Sequence, residues 1–171
     1  MVEQNLGYIA NLKVDDVPWD RLSCSYGTAE LFAQILNTLT KAVKKSKFNE
    51  NELDELLDEI VAQCEYQETF WHATPFALVF LVRIYKSALD EKGEAAKFIS
   101  RKLEVFFKFM LEICEKVEQM EHAKPLAKMK QMLEPKYLDI VDQDELNYDD
   151  RLFYSFYYYS SVVLQGSLIK I

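Results

Sequence analysis

The stretch TPFALVFLVRIY, residues 74–85, decides the fold class. Thr74-Pro75 is typical of a helix start, with Thr74 as the cap, because the first helical turn has no use for the N–H that proline lacks. The residues that follow are apolar except for Arg83, and a helix that is apolar on every side usually lies at the centre of a fold. A strand of a parallel sheet is the alternative for 76–85. The Thr-Pro start and the absence of another strand-like run favour a helix over about 75–89.

Two amphipathic helices are predicted upstream of this segment. Thr28 is a favourable N-cap residue and predicts a helix over about 29–45. Asn49, followed three residues later by Glu52, predicts the next helix over about 50–65. Both segments carry apolar residues at steps of three and four. Because the two helices are short and closely connected, we expect an antiparallel helical hairpin.

Further helices are predicted downstream. Gly93 precedes a long helix, about 94–120, whose apolar stripe is wide enough to contact neighbours on two sides. Prolines bracket a shorter helix, about 125–134. An aromatic-rich helix, about 148–165, is expected to end at Gly166. On this last helix we expect a buried face and an exposed face, and the buried face is Phe153, Phe156, Tyr157 and Ser160.

The predicted elements describe one all-α domain over residues 1–171. Its parts are an irregular entry segment (1–26), two helical hairpins (27–120) and C-terminal helices (121–171). The hairpins recur at roughly 45 residues, the period of HEAT and armadillo units. We therefore expect an α-α superhelix, a stack of helical hairpins. A compact helical bundle is the alternative.

Composition and motifs exclude several classes of function. The chain has 28 acidic and 20 basic residues and a formal net charge of -8, which opposes binding to nucleic acid because phosphates require Lys and Arg. No phosphate-binding glycine loop is present, and we expect no cofactor, no metal and no catalysis. The longest apolar run, 76–82, is too short to span a membrane. Three isolated cysteines, expected to be buried thiols, and a start unlike a signal peptide suggest a cytoplasmic location.

The segment from Phe48 to Val82 contains eight acids and neither Lys nor Arg. Like charges repel one another, and a basic partner relieves that repulsion and associates faster through electrostatic steering. We therefore expect a protein-interaction module that binds a basic protein through an acidic surface, while a merely solvated face is the alternative. The candidate contacts are acids of this segment, a second acidic group, and two tyrosines expected to be exposed: Asp54, Glu55, Asp58, Glu59, Glu65, Glu68, Asp142, Asp144, Glu145, Tyr154 and Tyr158.

Two other functions fit the sequence. Glu65, Glu68 and His72, with Arg83, are residue types that line a ligand or metal site or the active site of an enzyme. The helix start at Thr74 opposes this, because it places 66–73 in a loop. Arg83 then reaches solvent or pairs with an acid of a neighbouring helix. The third hypothesis is a homo-oligomeric structural protein, such as a homodimer closed by the aromatic C-terminal helix.

Two segments resemble bacterial HEAT-like helical-repeat proteins. The first is VPWDRL (17–22) with YGTA (26–29), and the second is QETFWHATP (67–75). They are similar to the P-W-x-x-L…Y-G and H-Q-x-T…A-T-P stretches of that group, although Tyr66 and Glu68 stand where the group has His and Gly. The resemblance implies an α-solenoid scaffold with no known catalytic residues. Some members of the group resemble immunity proteins beside polymorphic toxins.

Overall fold

The computed structural model describes residues 2–140 and 149–168. Over these ranges the protein is all-α, as the sequence predicts. Its six helices are α1 Val2–Asn11, α2 Phe32–Ala42, α3 Glu50–Cys64, α4 Thr74–Asp90, α5 Glu94–Glu118 and α6 Asp150–Leu168. Short 3-10 turns lie at Val14–Asp16, Trp19–Arg21, Met129–Leu133 and Pro135–Tyr137. None of the helices in these ranges has both the length and the apolar composition needed to cross a bilayer.

The apolar segment that decides the fold is the central helix, α4. It packs against α2, α5 and α6, while α3 packs against α2 and α5. Every residue from Thr74 to Val82 is buried, because a helix with apolar side chains in all directions can take neighbours on several sides. The strand alternative for 76–85 is therefore wrong.

A short β-hairpin precedes each of α2 and α4. Strand β1, Ser23–Cys24, pairs with β2, Gly27–Thr28, and β3, Glu65–Tyr66, pairs with β4, Thr69–Phe70, both in antiparallel register. The chain thus contains two similar units, each a hairpin followed by a pair of antiparallel helices. Strands of two residues carry no detectable periodicity, which is why the sequence predicts only a loop at 66–73.

The helix caps predicted at Asn49 and Thr28 differ in outcome. The Asn49 side chain accepts hydrogen bonds from the backbone N–H groups of Asn51 (3.0 Å) and Glu52 (3.3 Å), so this cap is confirmed. Thr28 is not a cap, because it belongs to β2 and α2 begins only at Phe32.

Thr74 joins two helices and does not cap one. Its hydroxyl donates to the carbonyl of Cys64 (2.6 Å), where α3 ends, and accepts from the N–H of Trp71 (2.9 Å). Pro75 lies in the first turn of α4, as predicted. The Thr-Pro pair therefore fixes the end of one hairpin unit against the start of the next.

Three predictions for the ends of the chain are wrong. The entry segment 1–26 is not irregular throughout, because it begins with α1. This short helix is held by tertiary contacts with the 125–134 segment: the Asn5 amide donates to Ala127 O (3.1 Å) and accepts from Met129 N (2.8 Å). That segment forms a 3-10 turn and no α-helix. Gly166 does not end α6, which continues to Leu168, because a glycine weakens a helix by about 1 kcal/mol without forbidding it.

Arg83 has a different role from either predicted one. Its guanidinium donates to the backbone carbonyls of Ile9 (2.7 Å) and Leu12 (2.7 Å) at the C-terminal end of α1. It also lies over the ring of Phe80, 5.1 Å from the centroid. A cation at this end of a helix is favourable, since the last carbonyls have no partner within the helix. Arg83 therefore fastens α1 to the central helix.

Candidate interaction surface

Three of the predicted acidic contacts are paired with lysines. Lys102 of α5 lies 2.5 Å from Asp54 and 3.4 Å from Asp58, and Lys116 of the same helix lies 2.6 Å from Glu68. The segment without bases in the sequence is therefore partly neutralised in space. The expectation of eight uncompensated charges is wrong at these three positions, because α5 brings in lysines that are distant along the chain.

Three other glutamates form an uncompensated acidic ridge on α3, namely Glu52, Glu55 and Glu59. All three are exposed, and none pairs with a lysine or arginine anywhere in the described ranges. Their spacing of three and four places them on one face of the helix. Asp54 and Asp58 lie to one side of this face, towards α5, so the ridge points away from the Lys102 contacts.

An exposed pair of tyrosines, Tyr26 and Tyr66, lies at the turns of the two β-hairpins. Their side chains are 69% and 48% exposed, and their ring centroids are 6.3 Å apart at an angle of 60°. The first hairpin is fixed to the end of α3, because Ser25 donates to the carbonyls of Gln63 (3.0 Å) and Ala62 (2.6 Å). The tyrosine pair therefore lies beyond the C-terminal end of α3, the helix that carries the acidic ridge.

The turn between β3 and β4 has an unfavourable backbone conformation. Gln67 and Glu68 have φ values of 50° and 64°, as in a type I′ turn, which normally takes Asn-Gly. Each left-handed residue other than glycine costs roughly 1–2 kcal/mol. By contrast, the first hairpin has a glycine, Gly27, at its positive φ of 111°.

Contacts with three parts of the protein hold this strained turn. The N–H of Glu68 donates to a side-chain oxygen of Glu65 (2.7 Å), its carbonyl accepts from the hydroxyl of Tyr157 (3.3 Å), and its carboxylate binds Lys116. The predicted contacts Glu65 and Glu68 therefore serve in part to shape the turn beside Tyr66.

The aromatic residues of α6 are arranged differently from the prediction. Tyr154, expected to be exposed, is only 8% exposed and stacks on His122 with ring centroids 3.7 Å apart. Phe153, expected in the core, is 40% exposed. Because α6 packs against both α4 and α5, its buried face is wider than one stripe. Tyr158 is half-buried.

The exposed tyrosines that the structure does show were not among the predicted contacts. Tyr26 is the second residue of a two-residue turn and is followed by Gly27. Tyr66 directly precedes Gln67 and Glu68, the two residues with positive φ. Tyr26 lies in the stretch YGTA, which stands out only for its resemblance to another group of proteins, whereas Tyr66 departs from that pattern and has no sequence signal. The remaining predicted contacts, Asp142, Asp144 and Glu145, lie outside the described residues.

A groove of about 730 Å³ with both apolar and charged lining residues lies at the Glu68–Lys116 ion pair. Its apolar residues include Val117 at the end of α5, Met120 two residues beyond that helix, and Phe153 at the start of α6. The exposed ring of Phe153 and the exposed Met120 side chain therefore extend the apolar surface near the strained turn.

The residues of the hypothetical ligand or metal site, among them His72, Glu68 and Arg83, each bind a different part of the protein. His72 is buried, its Nε2 lies 2.7 Å from the carbonyl of Met132, and its ring stacks on Phe156. Burial lowers the pKa of His72 to about 4, so the ring is neutral near pH 7. Glu68 binds Lys116 and Arg83 binds the end of α1. No three potential metal-ligating side chains cluster within residues 2–140 and 149–168.

The three cysteines are buried free thiols, as predicted. Burial raises the pKa of Cys24 and Cys64, and it raises that of Cys114 to about 12. The thiolate form is therefore disfavoured at all three positions near neutral pH.

Comparison with protein-family models, with curated proteins and with solved structures gives no match. The resemblance to HEAT-like proteins stays a prediction that rests on the residues of 17–29 and 67–75. The geometry of the acidic ridge and the tyrosine pair is therefore the basis for a functional hypothesis.

Proposed function

We propose that this chain is a non-enzymatic protein-interaction module that binds a basic protein through the acidic ridge and the tyrosine pair. The observation that carries the proposal is the presence of three outward-facing carboxylates without cations on a helix that ends beside two exposed tyrosines. Both features stand on ordered elements, which lowers the entropic cost of binding.

The two parts of the surface have complementary tasks in this proposal. Glu52, Glu55 and Glu59 attract lysines or arginines of the partner and raise the association rate. Tyr26 and Tyr66 bury apolar area against the partner, and their hydroxyls form hydrogen bonds with it, as tyrosines at binding hot spots do. The strain at Gln67 and Glu68 is retained because that turn positions Tyr66.

The sharpest form of the proposal is a cytoplasmic, bacterial immunity-type protein that masks a basic toxin. It is supported by the acidic composition and by the resemblance of two segments to HEAT-like proteins. It includes a solenoid arrangement, an α-α superhelix, for which the two successive hairpin–helix–helix units provide support.

A pull-down with the product of the neighbouring gene, at low and high salt, tests the ridge. We expect Glu52→Gln/Glu55→Gln/Glu59→Gln to weaken binding at least about tenfold at low salt, since three attractive charges are removed. The matched control is Asp15→Asn/Asp90→Asn/Glu91→Gln, which changes the net charge equally at exposed positions off the ridge. Equal losses in both variants, or no partner at either salt, would contradict the proposal.

A second variant tests the tyrosine pair. Tyr26→Ala/Tyr66→Ala should weaken the same complex at both salt concentrations, because buried aromatic contacts are not screened by ions. Circular dichroism provides the check that the exposed substitutions leave the helices intact. Binding that is unchanged by this variant would remove the tyrosines from the surface.

A further inference from the structure

The long helix α5 has an apolar strip on the side that faces away from the core. Val105 is 70% exposed and Phe109 is 41% exposed, while Phe106 and Met110, on the adjacent side that faces the core, are buried. A groove of about 610 Å³ runs beside this strip, between α5 and α3. Contiguous exposed apolar surface marks contact sites, and here two such side chains lie one helical turn apart beside a groove.

The charges at the two ends of the strip are of opposite sign. Arg101 lies one turn before Val105, and Glu112 lies about one turn after Phe109. Both are exposed, and neither is within ion-pair distance of an opposite charge in the ranges that the structure describes. Lys102 and Lys108, by contrast, are paired with acids of their own chain, Lys102 on the α3 side and Lys108 with Glu104.

This order of charges is complementary to itself in the antiparallel direction. When Val105 faces Phe109 of a second copy, Arg101 lies four residues before Val105 in the first copy. Glu112 lies three residues after Phe109 in the second copy. With a rise of 1.5 Å per residue these offsets agree to about 1.5 Å. A two-fold axis makes each contact twice, so two apolar pairs would be flanked by two ion pairs.

We propose that two copies of this chain associate through the outer face of α5, with the helices antiparallel. Val105 and Phe109 form the centre of the contact, and Arg101 of each copy pairs with Glu112 of the other. This interface goes beyond the proposed function, because it does not use the acidic ridge or the tyrosine pair.

Sedimentation velocity of the full chain at several concentrations tests the proposal. We expect a reversible dimer that Val105→Asp and Phe109→Asp each weaken at least about tenfold, since a charge is placed in an apolar contact. Leu89→Asp is the matched control, an exposed apolar residue on α4 that lies off this face. It should leave the dimer unchanged.

A charge exchange provides the decisive variant, because it leaves the apolar strip intact. Arg101→Glu and Glu112→Arg should each weaken the dimer, since like charges then meet twice, and the double variant should restore it to within about threefold. A monomer at every concentration would overturn the proposal. So would a dimer indifferent to Val105→Asp, as one joined through α6 would be, or a double variant no tighter than the single ones.

Discussion

At the scale of single residues, Glu68 shows a conflict between local conformation and tertiary contacts. Its φ of 64° favours glycine, whereas its carboxylate binds Lys116. We expect Glu68→Gly to be more stable than Glu68→Ala by about 1 kcal/mol, because both lose the ion pair but only alanine keeps the left-handed strain. Chemical denaturation of the two variants measures the difference.

The same pair of substitutions at Glu55, within α3, is the control for Glu68. There the order should reverse, with alanine more stable than glycine by about 1 kcal/mol, since glycine is unfavourable inside a helix. Equal stabilities of the two Glu68 variants would show that the turn is not strained in solution.

His72 is expected to make the stability of the protein depend on pH. Burial lowers its folded-state pKa from 6.5 to about 4, so the unfolded chain binds a proton over a range of pH in which the folded protein does not. Stability from this residue is full above about pH 6.5 and is lost as the pH falls towards about 4, by up to about 3 kcal/mol.

Unfolding of the wild type and His72→Gln at several pH values measures this contribution. Glutamine keeps an N–H donor for the carbonyl of Met132 but does not titrate. We expect its free energy of unfolding to fall less steeply between about pH 6.5 and about pH 4. Identical slopes for the two proteins would mean that His72 does not carry the effect.

At the scale of secondary-structure elements, Arg83 of α4 holds the C-terminal end of α1, in addition to the contacts of Asn5 with the 125–134 segment. A helix as short as α1 is not stable by itself in water, and Arg83 binds two of its last carbonyls. We expect Arg83→Met to destabilise the protein by about 2 kcal/mol, since hydrogen bonds to a charged group are lost. Amide hydrogen exchange should become faster in α1 and remain slow in the middle of α4.

Two comparisons make the test of Arg83 specific. Arg83→Lys keeps the charge but offers one compact ammonium group, so it should restore only part of the stability. Arg101→Met, on the exposed face of α5, should leave exchange in α1 unchanged. Exchange that accelerates equally in all helices of the Arg83→Met protein would contradict a local role.

At the scale of the whole molecule, the sequence is informative where its signals are local. The cap at Asn49, the proline in the first turn of α4 and the apolar periodicity predict α2–α5 to within a few residues, because these signals are local in the sequence. Contacts between distant segments leave no such pattern. The residues around Asp54 do not predict its ion pair with Lys102, and the residues around Arg83 do not predict its hydrogen bonds to the end of α1. For the same reason Phe153 is exposed and Tyr154 is buried, the reverse of the prediction, since two neighbouring helices determine which face of α6 is buried.

The division of the α3 acids into paired and unpaired residues predicts opposite effects on the stability of the free protein. Glu55→Gln/Glu59→Gln should raise the free energy of unfolding by about 0.3 kcal/mol at low salt, because repulsion between carboxylates four residues apart is removed. Glu52 is left unchanged in this variant, because an acid in the first turn of a helix is favourable. Asp54→Asn/Asp58→Asn should lower it by about 1 kcal/mol, because Lys102 loses both partners. Thermal unfolding of both variants at low and high salt measures the two effects, and both should shrink as ions screen the charges.

The expected signs connect the stability of the fold to the proposed function. A binding surface can retain a repulsion that glutamine relieves, because the partner supplies the missing cations. The variant without the charges of Glu55 and Glu59 should therefore be the more stable protein and the weaker binder. If neutralising these ridge carboxylates destabilised the free protein, the ridge would be part of the structural charge network of α3 and α5. The functional hypothesis would then lose its main support.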